Sequence, residues 1–364
     1  MIKHTDHFHG SDLEKIEKVY GIRKEDITSF SANVNPLGIS PLLRSCLIDH
    51  IDAITSYPDR EYTALRRQIG AYTGASMEGI LVGNGSTELI SLFIQIKHPK
   101  KAMILGPTYS EYEREITLSG GSCVYFPLQE EEDFLLNTEA LLARLTDGTD
   151  LLVICNPNNP TGTAVSQKDM RRILSACRER GIFVIVDETY VEFAPDMDAV
   201  DSVPLTKEYD NLVVLRGVSK FFAAPGLRLG YAITGNTALL DEISHFKNPW
   251  TINSLAAAAG ELMFSDETYI RQTRSLISEE RERIVKELSS WDSVKIYPSQ
   301  ANFLLVRIKK EGVTADDLFE HAIRRGLMIR NCATFPFLDN SYFRFCFMLP
   351  EKNTELLHCL RELL

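Results

Sequence analysis

Short apolar runs bounded by turn residues recur along the first two thirds of the chain: Ala102 to Leu105, Cys123 to Phe126, Leu151 to Ile154, Ile182 to Val186, Leu212 to Leu215 and Gly230 to Ile233. They are apolar at nearly every position rather than at alternate ones, the pattern of strands buried on both faces. Between them lie stretches with helical spacing: Ser86 to Ile96, Tyr109 to Leu118, Glu139 to Leu145, Gln167 to Arg180 and Thr237 to Phe246. Strand and helix in alternation predict an α/β fold, a mostly parallel central sheet sandwiched by helices. After Asn253 the pattern changes to one long, polar-rich helix running to about Ser289. Mixed strands then follow near Val294 to Tyr297, Asn302 to Arg307 and Tyr342 to Phe347. These read as a smaller α+β domain. One helix, Asp12 to Tyr20, precedes S-A-N-V-N-P-L-G, whose Asn, Pro and Gly demand an irregular, extended path that packs on the small domain. The expected division is a large domain over 45–253, with 1–44 and 254–364 forming the N-terminal segment and the small domain.

A chain of 364 residues exceeds the usual limit of a single core, which agrees with two lobes. The formal net charge of -11 repels nucleic-acid phosphates over the surface as a whole but leaves room for a local anion pocket. No stretch is long and apolar enough to span a bilayer. Seven cysteines stand singly without a C-x-x-C pair, favouring reduced thiols and a cytoplasmic setting over a disulfide framework or a zinc site. His4, His7 and His9 cluster, but nothing elsewhere is spaced to complete a metal site, so none is expected. The acidic run Glu130 to Asp133 reads as a solvated loop.

The densest candidate chemistry is R-G-V-S-K-F-F-A-A-P-G-L-R-L-G-Y, Arg216 to Tyr231, in which Ser219, Lys220 and Arg228 share one loop between two strands. An amine able to bond a carbonyl, with a hydroxyl and a cation to hold a phosphate, is what a pyridoxal-5′-phosphate (PLP) enzyme needs. F-V-I-V-D-E-T-Y ends a strand on Asp187, at the edge where open α/β sheets gather ligand-binding residues. A carboxylate there can pair with a pyridinium nitrogen or simply cap the next turn, and Tyr190 stands three residues on. C-N-P-N-N-P-T-G brings Asn159 to the same edge. V-G-N-G-S-T-E opens a helix with Gly85, Ser86 and Thr87, a natural phosphate cradle. Tyr109 follows another strand and can stack on a ring or pack in the core. Tyr57, in S-Y-P-D, has no role that local chemistry supplies.

Together and in this order, these motifs resemble the fold-type I PLP enzymes of the aspartate aminotransferase superfamily across nearly the whole chain. The resemblance implies that Lys220 is the Schiff-base lysine and Asp187 the pyridinium partner. Asn159 and Tyr190 would contact the ring hydroxyl, and Tyr109 would stack on the ring. Gly85, Ser86, Thr87, Ser219 and Arg228 would hold the phosphate. It also implies a homodimer in which Tyr57 reaches the partner's cofactor phosphate. One departure is Gly217, where relatives often carry Ser or Thr.

Two branches of the superfamily compete: the threonine-phosphate decarboxylases of cobalamin biosynthesis and the histidinol-phosphate aminotransferases. The segments H-G-S-D-L (9–13), F-S-A-N-V-N-P-L-G (30–38) and I-R-N-C-A-T-F-P-F-L-D-N-S-Y-F-R (329–344) resemble the decarboxylases. That branch implies substrate contacts at His9, Gly10, Asn33, Asn159, Arg330 and Arg344. Arg344 would take the carboxylate, Arg330 the phosphate, and His9 would come from the neighbouring subunit. A second arginine that such relatives place shortly after the position of Arg344 is missing here, where Phe345, Cys346, Phe347 and Met348 follow. A non-catalytic PLP-binding scaffold is the expectation of another class, disfavoured by the presence of both Lys220 and Asp187.

Overall fold

The structure, a computed structural model, describes residues 12–145 and 148–364. Seven strands form the main sheet in the order Ile80–Gly83, Gly230–Ile233, Leu212–Gly217, Phe183–Asp187, Leu151–Cys155, Lys101–Gly106 and Ser122–Pro127. All run parallel except Gly230–Ile233, which is antiparallel to both its neighbours. Along the central strands successive side chains enter two different cores: Val184 and Val186 join one, Phe183 and Ile185 the other. Helices cover both faces, which is why these strands are apolar throughout.

A second, four-stranded antiparallel sheet is built from Val294–Ile296, Phe303–Ile308, Arg330–Asn331 and Tyr342–Cys346. The extended N-terminal path joins this part of the molecule: Thr28–Ser29 pairs in parallel with Leu327–Met328, and Asn302 Nδ2 donates to the Asn33 carbonyl at 3.0 Å.

Three expectations need correction. The single helix expected after Asn253 is two, Ser254–Met263 and Glu267–Leu288. Asp266 breaks it by capping the second, its side chain accepting from the Tyr269 amide. The helix expected from Tyr109 begins at Glu111, leaving Tyr109 in the loop that follows the Lys101–Gly106 strand. The acidic run is solvated at Glu131 and Glu132 but not at Glu130. Glu130 accepts hydrogen bonds from Arg307 at 2.6 and 2.8 Å and from the Tyr297 hydroxyl at 2.7 Å, tying the main-sheet side to the small sheet. Burial opposes its ionisation, but the bonds from Tyr297 and Arg307 win and hold it at about 2.

Candidate active site

The parallel strands deliver their carboxyl ends to one edge, and the loops leaving them wall a cavity of about 440 Å³. Phe183–Asp187 places Asp187 at its back, 4 % exposed. Tyr112 donates its hydroxyl to Asp187 Oδ2 at 2.7 Å, while the Thr189 amide and hydroxyl donate to Oδ1 at 3.0 and 2.6 Å. Burial pushes the Asp187 carboxyl up and these donors only partly offset it. Among the described residues no cation pairs with it, so a cationic group placed beside it would be strongly favoured.

At the opening of the Ser86–Lys97 helix, Gly85 adopts φ 81°, a conformation side chains avoid, and a Cβ there would meet Arg228 Nη2 at 2.5 Å. The guanidinium therefore lies against the first turn of a helix whose amides point outward. Arg228 is held by the carbonyls of Pro225 and Asn84 at 3.3 and 3.4 Å. Ser86, Thr87 and Ser219 line the same end of the cavity. An anion-binding cradle results from helix dipole, hydroxyls and one guanidinium. Gly217 is not forced by space, since a Cβ there would touch Ser86 at an ordinary 3.7 Å.

Lys220 lines the cavity and donates to the Ala32 carbonyl at 2.7 Å. Burial, then the neighbouring Arg344, depress its ammonium to about 8, which makes a neutral, nucleophilic amine accessible near physiological pH. Tyr190 accepts from Asn33 Nδ2 at 3.3 Å, and Asn159 accepts from Arg344 Nη1. Tyr109 stands edge-on to Tyr112, ring centroids 5.6 Å apart, and faces the cavity.

The roof belongs to the small sheet. Arg330 and Arg344 are direct cross-strand partners, an arrangement of like charges that is unfavourable by itself. Arg344 Nη2 donates to the Ser31 carbonyl at 2.8 Å and its guanidinium covers the Phe303 ring at 5.0 Å. Arg330 donates to Thr334 Oγ1 at 3.0 Å; burial and the adjacent Arg344 lower it to about 10. Arg344 Nε, Asn33 Oδ1 and Ser31 Oγ are buried without a hydrogen-bond partner among the described residues.

Every candidate among the described residues thus meets in one cavity, with one exception. Tyr57 stands outside it, 79 % exposed, its ring against Trp250 at 4.8 Å. His9 and Gly10 lie outside the described residues, as do His4 and His7. Sequence reading missed Tyr112, Thr189 and the carbonyls of Ser31 and Ala32. Tyr112 had a signal, since it falls in the first turn of a helix that opens just after a strand end at the site. The carbonyls had none, because a backbone acceptor carries no residue-type signature.

The donor set fits PLP. A phosphate cradle lies near a depressed lysine, with a buried carboxylate that has no cationic partner among the described residues at the back, and aromatic and amide side chains between. The chain belongs to the aminotransferase class I and II family, whose sequence pattern matches residues 25–360. Among its relatives, the threonine-phosphate decarboxylase of Salmonella typhimurium is 34% identical over 98% of this chain and 96% of its own. The histidinol-phosphate aminotransferase of Clostridium acetobutylicum superposes with a TM-score of 0.86 at 32% identity, covering 92% of this chain and 98% of that one. The L-threonine-O-3-phosphate decarboxylase of Porphyromonas gingivalis gives 0.81 at 25%, with the same coverages.

Proposed function

We propose that this is a PLP-dependent carboxy-lyase that converts L-threonine O-3-phosphate to (R)-1-amino-2-propanol O-2-phosphate for cobalamin biosynthesis. The observation that carries the reading is the pair of cross-strand arginines over the cavity, with Arg344 Nε, Ser31 Oγ and Asn33 Oδ1 left without hydrogen-bond partners among the described residues. A substrate with both a carboxylate and a phosphate supplies two anions where two buried cations face each other. Arg344, fixed by Asn159 and the Ser31 carbonyl, suits the carboxylate; Arg330, on the neighbouring strand, suits the phosphate. The decarboxylases among the relatives support the same reading.

PLP, when bound, would supply the electron withdrawal that lets the substrate's α-carbon lose carbon dioxide. Gly85, Ser86, Thr87, Ser219 and Arg228 would hold its phosphate, and Asp187 would keep its nitrogen protonated. Asn159 and Tyr190 would bond its hydroxyl, and Tyr109 would flank the ring. Arg344 turns the substrate so that the bond to the carboxylate, rather than that to hydrogen, is the one weakened. Lys220, the lysine of the cavity wall, delivers the proton that replaces carbon dioxide. Val34, Leu229 and Phe335 line the same space and limit water.

The protein acts as a homodimer in the cytoplasm on this reading. Ile48, Ile51, Ile54, Tyr57, Phe246 and Trp250 are exposed apolar residues on adjoining segments, and a second copy placed there lets Tyr57 serve the neighbouring site. The seven cysteines are all free, as a reducing compartment favours. The division into 45–253 and the two end segments then separates cofactor holding from substrate selection.

A second reading, histidinol-phosphate aminotransferase, draws on the closer superposition of the Clostridium acetobutylicum enzyme. Incubating the PLP-loaded protein with L-threonine O-phosphate and no keto acid decides between them. Carbon dioxide and aminopropanol phosphate at catalytic rates sustain the decarboxylase. Their absence, with glutamate formed from histidinol phosphate and 2-oxoglutarate, makes it an aminotransferase, and inactivity in both assays returns the non-catalytic scaffold.

A further inference from the structure

The strand that presents Arg330 runs directly into a loop, residues 333–338, that crosses to the main sheet. On its near side the loop grips the arginine: Thr334 accepts from Nη2, and the Phe335 ring lies 5.6 Å beneath the guanidinium. Two successive turns, Phe335 N to Cys332 O at 2.9 Å and Leu338 N to Phe335 O at 3.1 Å, make the loop one stiff piece. On its far side Phe337 meets the carboxyl ends of the Lys101–Gly106 and Ser122–Pro127 strands. Its ring stands edge-on to Tyr125 with centroids 5.6 Å apart. At Gly106 a Cβ would come within 2.6 Å of the Phe337 ring and 2.7 Å of Tyr125, so only glycine lets the ring seat there.

Phe337 is otherwise an odd residue. It is 56 % exposed, and its φ of 69° is one that a bulky side chain rarely adopts. Core packing does not account for a half-solvated ring on a strained backbone, and such strain persists where the surroundings hold it for a purpose.

We propose that Phe337 is a positioning residue, a latch that seats the 334–337 loop on Gly106 and Tyr125 and thereby fixes Arg330 over the cavity. The inference rests on the reading that Arg330 takes the phosphate of the substrate. With the latch seated, the arginine offers its planar face at a set place. Without it, the loop and Arg330 move together while the cofactor cradle, on the other side of the cavity, is untouched.

The test compares wild type, Phe337→Ala and Phe337→Tyr in steady-state decarboxylation and in amide hydrogen exchange of residues 333–338, with PLP affinity measured alongside. Phe337→Ala is expected to raise KM about tenfold with kcat within about twofold, and Phe337→Tyr to restore it. PLP affinity stays unchanged, and the loop amides exchange about tenfold faster in Phe337→Ala. Unchanged KM, or kcat falling together with PLP affinity, overturns the latch. Because exchange needs no substrate, it judges the latch even if threonine phosphate proves not to be the substrate. Equal exchange in wild type and Phe337→Ala then overturns the latch alone, and faster exchange sustains it.

Discussion

Asp187 and Glu188 are adjacent carboxylates with opposite surroundings. Glu188 is closed off by Arg216, which donates to it at 2.7 and 3.0 Å, whereas Asp187 has only neutral donors among the described residues. A buried carboxyl whose pKa is raised holds its proton more tightly folded than unfolded. Stability therefore falls as pH rises through the window above the ordinary carboxylate range, and the buried Asp187 carboxyl is a burden to the cofactor-free protein there. Asp187→Asn is expected to raise the melting temperature of the cofactor-free form by about 2 °C, seen by calorimetry, while weakening PLP binding about a hundredfold, seen by titration. Lys220 gives a second pH dependence. Its amine is neutral above about 8, so the rate at which cofactor-free protein takes up PLP should rise with pH and reach half its maximum near there. Arg344→Gln should move that midpoint upward, because it removes one of the charges that depress the ammonium. Stopped-flow absorbance across pH checks both. Lys220, Asp187, Asn159 and Arg228 were legible in the sequence because each sits at a strand end or in a glycine-bearing turn whose chemistry has few other uses. Tyr112 was less so, since a tyrosine on a helix reads as packing until the strand beside it is in place.

Elements were legible where one residue type sets the boundary. Thr237–Phe246 starts after Asn236, whose side chain caps the Leu239 amide, and the expected bounds agree with those observed. Two helices before the sheet, Pro41–Asp49 and Thr63–Thr73, were not anticipated, although the first carries a clear opening of Ser40 followed by proline. The strand Ile80–Gly83 was missed because four residues give too little pattern. Glu130 was misread because the partners that hold it lie 165 residues or more further along the chain. At the phosphate cradle the element itself is testable. Gly85→Ala puts a methyl group against Arg228 and forces a φ that only glycine bears easily. It should cost about 1–3 kcal/mol of stability and weaken PLP binding, read from the melting temperature and a PLP titration.

Across the whole molecule, Pro41–Asp49 and the turn Ile51–Thr55 pack on Ser254–Met263 and leave Ile48 and Ile54 at 67 % and 64 % exposure. Sedimentation should give twice the chain mass of 41.1 kDa. Ile48→Asp combined with Ile54→Asp should give the single-chain mass and abolish turnover if, as proposed, Tyr57 serves the neighbouring site of a homodimer. The pairing of Thr28–Ser29 with Leu327–Met328 has a consequence for how the protein is made. As the chain leaves the ribosome, the seven strands from Ile80 to Ile233 are complete while the strands bearing Arg330 and Arg344 are still unmade. The early residues Ser31, Asn33 and Asn35 already have Lys220 for company, since the Asn35 amide donates to its carbonyl at 3.0 Å, but they await Asn302 and Arg344. On the proposed reading, synthesis therefore lays down the strands that would hold the vitamin before those that would choose what is fed to it.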